Sequence, residues 1–116
     1  METTGQVNNR TVSIASGESL SGAIYLGGIR LFGLVMPSTW TTANLTFQVS
    51  VDGTTYQNLY DGDGTEVQVT TAAGYTHTLD PALFAAIPFV KVRSGTSGTP
   101  VNQGGDRTIG LILRSV

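Results

Sequence analysis

The sequence predicts an all-β domain, an antiparallel β-sandwich or jelly roll of about eight to nine short strands. Three observations carry this. Residues 44–51 alternate, with Leu45, Phe47, Val49 and Val51 on one side and Thr46, Gln48 and Ser50 on the other. That period of two marks a half-buried strand. Residues 29–36, IRLFGLVM, are almost continuously apolar, as in a strand covered on both faces. Glycine supplies 15 of the 116 residues, and Gly, Asp and Ser punctuate the apolar runs, with no long helical period anywhere.

Taken in order, residues 1–10 (METTGQVNNR) form a polar N-terminal arm, and residues 11–116 form the single sandwich domain. The arm has no basic start and no apolar stretch, so it is not read as a secretory signal. Residues 11–14 alternate as the first strand, and 23–26 form a second, closed by Gly27-Gly28. The apolar strand 29–36 ends at Pro37, and the alternating strand follows. Residues 49–69, VSVDGTTYQNLYDGDGTEVQV, then read as three consecutive strands joined by two glycine turns, with strands at 55–60 and 66–70. Asp-Gly between alternating runs is a strong hairpin signal, because glycine accepts positive φ without strain. Residues 75–79 add another strand. Asp80-Pro81 opens the one helical turn, with Asp80 as N-cap and proline at the first position. Residues 89–93 and 108–114 complete the set. Between them, residues 94–107 (SGTSGTPVNQGGDR) form a long low-complexity loop, a length that is uncommon unless the loop is functional or disordered.

The core of the sandwich is expected to contain Phe47, Val49, Val51, Val90 and Val92. Trp40, in the loop after Pro37, is read as a cap on one end of that core in preference to a stacking platform for a sugar.

Charged residues make up only 12% of the chain, about half the share of an average soluble domain. Lys91 is the only lysine. A surface so poor in charge suits a protein packed against neighbours. The net charge of −2 offers no basic footprint for nucleic acid, and no apolar run is long enough to span a bilayer. Cysteine is absent, which removes disulfides and thiolate metal sites.

Catalytic chemistry finds little support. His77 is the only histidine, and it is read as a structural or surface residue. Gly95-Thr96-Ser97-Gly98-Thr99 and Gly17-Glu18-Ser19-Leu20-Ser21 both lack the closing glycine of a nucleophile elbow. Asp52, Asp61, Asp63 and Glu66 sit at strand ends, with no cleft implied for paired-carboxylate chemistry. A calcium loop starting at Asp61 fails on position: Glu66 stands where the glycine belongs and Ala72 where the bidentate glutamate belongs. No catalytic, cofactor-binding or metal-binding residue is therefore assigned, and no cofactor is expected.

The segments MPSTWTTANLTFQVSVDG, LDPALF and VKVRSGTSGTPVNQ resemble a group of small proteins encoded among the virion genes of tailed bacteriophages and related prophages. The likeness covers residues 11–114. LTFQVSVDGTTYQNLYD followed by PFVKVRSG is also similar to discoidin or galactose-binding-like jelly rolls. The resemblance implies a non-enzymatic structural protein of the particle, foremost a capsid decoration (cement) protein on the head. The alternative is a carbohydrate- or receptor-binding module of a head or tail fibre or spike. It further implies synthesis in the host cytoplasm and residence in the virion. The implied partners are the major capsid protein or other virion proteins and further copies of the chain, with a glycan as a further ligand and neither nucleic acid nor membrane. Contacts with those partners are expected from the arm, through Val7 and Arg10, and from the long loop, through Pro100, Asn102 and Gln103.

Overall fold

The computed structural model describes residues 7–115; residues 1–6 and 116, and the side chains of Val7 and Asn8, lie outside the description. Eight strands form two four-stranded antiparallel sheets, with one 3-10 turn at Pro81–Phe84. The strands are β1 (Val7–Ile14), β2 (Ile24–Tyr25), β3 (Ile29–Val35), β4 (Leu45–Ser50), β5 (Gln57–Asn58), β6 (Thr76–Thr78), β7 (Phe89–Ser94) and β8 (Arg107–Ser115). One sheet, here sheet A, has the order β1-β8-β3-β6; the other, sheet B, has the order β2-β7-β4-β5. The pairs nest as first with last, second with seventh, third with sixth and fourth with fifth. That is the wrapping of an eight-strand jelly roll.

The inward-facing residues of both sheets fill the space between them. Leu31, Leu34, Ile109 and Leu113 from sheet A meet Leu45, Phe47, Val90 and Val92 from sheet B, all essentially inaccessible to solvent. The 3-10 turn forms as its sequence requires: Asp80 Oδ1 accepts from the Ala82 amide at 3.0 Å, and proline stands in the first turn. The turn drives Phe84 into the core, edge-on to Phe47 with ring centroids 5.1 Å apart. Trp40 is buried with the same cluster and donates from Nε1 to the Ala43 carbonyl at 3.1 Å. It is the end cap, and stacking on a ligand would require it to leave the core.

Several local expectations are corrected. β1 takes in Val7 to Arg10, which the sequence pattern assigned to the arm, because residues 111–114 of β8 supply a partner for each of them. Val51 is 83% exposed. β4 ends at Ser50 and the chain turns sharply through Gly53, at φ 79°, so Val51 falls on the corner outside the sheet. A side chain at Gly53 would also stand 3.0 Å from the Phe89 ring. Of the two strands expected in 55–70, only Gln57–Asn58 pairs as a strand; the remainder makes isolated bridges at Tyr60–Glu66 and Leu45–Val69. In β3, the apolar run is not covered on both faces: Val35 is 41% exposed. A register shift between Leu31 and Gly33 lets a nearly continuous apolar run serve a single core.

Candidate contact surfaces

The two outer faces of the sandwich differ in what lies over them. On sheet B, Thr46 and Arg93 are cross-strand neighbours. Arg93 is only 5% exposed. Its Nη1 donates to Thr46 Oγ1 at 3.3 Å and to Glu66 Oε2 at 3.4 Å, and its Nη2 donates to Asn58 Oδ1 at 2.6 Å. Glu66 in turn accepts from the Ser97 amide at 3.2 Å. Two residues before Arg93 in β7, on the same face, the Lys91 ammonium lies 4.3 Å from the centre of the Tyr56 ring. Asn58 of the edge strand β5 and Glu66 beyond it are thus tied to β7, past Thr46 of β4, by polar contacts centred on one guanidinium. A buried charge requires such partners.

The acid-glycine stretches that border this cover are turns. Asp52 Oδ1 accepts from the Thr54 and Thr55 amides at 2.8 and 2.9 Å and from the Ser50 hydroxyl at 2.9 Å. Those contacts, the Thr55 amide first, hold its carboxyl below the ordinary carboxylate value. Asp61 Oδ1 accepts from the Asp63 and Thr65 amides at 2.9 and 3.0 Å. Among the described residues, no three carboxylate, histidine or cysteine side chains gather where they could hold a metal ion, and no helix is long and apolar enough to cross a membrane. His77 lies in β6 beside Tyr75, with ring centroids 5.8 Å apart. Its buried Nε2, like Thr71 Oγ1, makes no hydrogen bond among the described residues.

The long loop is tied down. Gly95 takes φ 90°, and a Cβ there would lie 2.5 Å from the Thr99 carbonyl oxygen, so only glycine fits. The amides and carbonyls of Thr96 and Thr99 bond reciprocally at 3.2 Å, and the Val101 amide reaches the Ser94 carbonyl at 2.9 Å. Gln103 is the anchor of the second half. Its Oε1 accepts from the Thr41 amide at 2.8 Å and Arg107 Nε at 3.0 Å; its Nε2 donates to the Thr41 carbonyl at 3.0 Å and Ser94 Oγ at 2.7 Å. Its backbone joins Gly17 and Glu18 as well.

This arrangement sorts the residues expected to touch a partner. Gln103 is 1% exposed and is a structural staple, because every polar atom of its amide is used inside the molecule. Pro100 and Asn102 are exposed on the same loop. Arg10 is half-buried and donates from Nη2 to the Tyr25 carbonyl at 2.9 Å, bridging the edges of the two sheets. It pairs with Leu111, four residues along β8 from the loop's end at Arg107. Val7 belongs to β1 by its backbone, and its side chain lies outside the described residues. The Arg93 network was missed by sequence reasoning. Its only signal was a strand, FVKVRS, whose outward positions carry both Lys91 and Arg93.

Among the described residues, the outer face of sheet A carries no such cover of polar contacts. Asn9, Thr11, Ser13 and Thr108 are exposed, and Gly110 and Ile112 half-exposed, beside Val35. Asn9, Thr11, Val35, Gly110 and Ile112 line a shallow trough of about 500 Å³ on this side.

No protein-family profile and no curated protein sequence matches the chain. Among solved structures, the fold is similar to the crystal structure of the SPBc2 prophage-derived protein YomS, with a TM-score of 0.65 and 16% identity. The match covers 99% of this chain and 98% of that one. The two proteins therefore share the same two-sheet architecture from end to end.

Proposed function

We propose that the chain is a structural protein of a tailed-phage particle, acting by contact without catalysis, and specifically a capsid decoration protein of the head. The observation that carries this reading is the end-to-end fold likeness to a prophage-derived protein. It agrees with the sequence resemblance to small virion proteins and with a chain of which only 12% of residues are charged. In mechanism, each copy makes a weak contact with the capsid lattice, and many copies together reinforce the shell through avidity. Exposed loop residues Pro100 and Asn102 and the arm, residues 1–6, are the contact elements in this reading.

The test is to add purified protein to undecorated capsids of its own phage and sediment the mixture. Co-sedimentation, and capsids that resist heat better when decorated, are expected. Failure to co-sediment with heads, together with retention on tails or on a glycan array, would replace decoration with receptor contact. Removing residues 1–6 tests the arm cleanly, whereas a cut at residue 10 would remove half of β1.

A further inference from the structure

The first strand ends sheet A with an open edge, and its edge is unlike the others. β2, β5 and β6 are two or three residues long, while β1 runs for eight. Long open edges invite strand pairing, and proteins commonly blunt them with lysine, proline or a bulge. β1 contains no lysine or proline, and its register with β8 is unbroken.

The backbone groups at this edge can be assigned from the sheet itself. The Met36 amide donates to the Tyr75 carbonyl and the Leu79 amide to the Phe32 carbonyl, both at 2.8 Å. Even-numbered residues of β3 therefore bond towards β6, and alternation turns Gly33 and Val35 towards β8. Their partners there are Ile112 and Gly110, so Ile109, Leu111 and Leu113 bond the other way, to Val12, Arg10 and Asn8. Asn9, Thr11 and Ser13 are left aiming N–H and C=O outwards, away from the sheet.

We infer that this edge pairs with the same edge of a second copy, antiparallel about Thr11, to make a continuous eight-stranded sheet across a twofold axis. In that register Thr11 faces Thr11, and Asn9 faces the second copy's Ser13. Facing residues exchange two bonds each, giving about six backbone hydrogen bonds over the three pairs. Inward-facing residues meet inward-facing ones, as a sandwich core demands. Charge selects this register. The neighbouring one, centred on Arg10, sets two guanidiniums directly opposite each other, which is destabilising. Thr11-centring places Arg10 opposite Val12 and leaves its bond to the Tyr25 carbonyl in place. Centring on Val12 instead runs the pairing past the end of β1 at Ile14. The strand is thus self-complementary: its outward side chains are uncharged, and its single charge never opposes itself. Gly110, beside Thr11 in β8, keeps the outer face at the seam low, so the trough on sheet A continues across the axis.

The experiment is sedimentation equilibrium of the full chain and two variants, with amide hydrogen exchange. The native chain is expected to be a dimer whose Asn9, Thr11 and Ser13 amides are protected, the protection weakening on dilution. Thr11→Pro removes an N–H that has no partner among the described residues of the protomer, so the fold should survive while the dimer weakens by about 30-fold. Thr11→Lys keeps the N–H but sets like charges together on the axis, and should also give a monomer. A native chain that is monomeric at every concentration would overturn the inference. So would an oligomer that persists in both variants, or one whose three amides exchange freely. The inference is independent of the function proposed above: a dimer that ignores capsids removes only the decoration role, and a monomer that binds them removes only the dimer.

Discussion

Sheets A and B have the same strand number and the same kind of inner face, yet they solve their outer faces in opposite ways. Sheet B has short edges and a polar cover: Arg93 reaches past Thr46 of β4 to Asn58 and Glu66. Sheet A has the two longest strands, β1 and β8, and leaves its outer face and first edge to solvent. Sheet B is satisfied from within the chain. Sheet A has backbone and surface to spare, which makes it the side where another molecule adds most.

The largest expected effect tests the cover. Arg93→Ala removes the centre of the sheet B network and strands Glu66 with one amide contact in a site where its side chain is 12% exposed. Breaking a buried pair in this way should cost about 4 kcal/mol, read as a lowered midpoint in urea. Thr108→Ala, an exposed position on sheet A, should change stability by less than about 0.5 kcal/mol. Equal losses at the two sites would erase the contrast between the faces. The next effect concerns the loop that sequence marked as a contact element. Gln103→Ala leaves the Thr41 amide and Ser94 hydroxyl without their buried partner, at a cost of about 2 kcal/mol. Exchange of the Thr41 and Gln103 amides should quicken well before global unfolding. If only the global rate changes, the loop is not an independent staple.

Much of this contrast could not be read from the chain. Periodicity located the inner faces well, because Leu45, Phe47, Val90 and Val92 are placed by local alternation and all are buried. The Asp80-Pro81 cap was equally local. The outer faces depend on partners far apart in sequence: Arg93 and Glu66 are 27 residues apart, Gln103 and Thr41 are 62 apart. No window of sequence holds both members of either pair. The same reason explains the misplaced strands. Residues 55–70 alternate as strands do, but only Gln57–Asn58 extends sheet B beside β4; the chain then turns at Asp61–Gly64 and returns through isolated bridges at Tyr60–Glu66 and Leu45–Val69, with Asn58 and Glu66 turned to Arg93. Conversely, VNNR at 7–10 has no strand pattern and becomes one because β8 offers a full ladder of partners. Strand identity there is set by pairing more than by propensity. For the candidate contacts, residue type alone made Gln103 resemble its exposed neighbours Pro100 and Asn102, and only burial separates them.

The smallest expected effect lies at the rim of sheet B, in the turn at Asp52. Its carboxyl is held below the ordinary value by the amides of Thr55 and Thr54 and the Ser50 hydroxyl. A carboxyl depressed in the folded state contributes stability above its unfolded value, and that contribution is lost as pH falls through the lowered folded value. Asp52→Asn keeps an oxygen acceptor but removes the charge. Its melting temperature should therefore sit slightly below that of the native chain at neutral pH, and the gap should close in acid, below the ordinary carboxylate range. The group is fully exposed, so solvent screening keeps the difference small. A gap that stays constant from neutral to acid pH would assign the turn's stability to geometry alone. A gap that closes would extend to the rim what Arg93 shows beneath the cover: sheet B spends its charges on its own backbone and side chains, and keeps few for a partner.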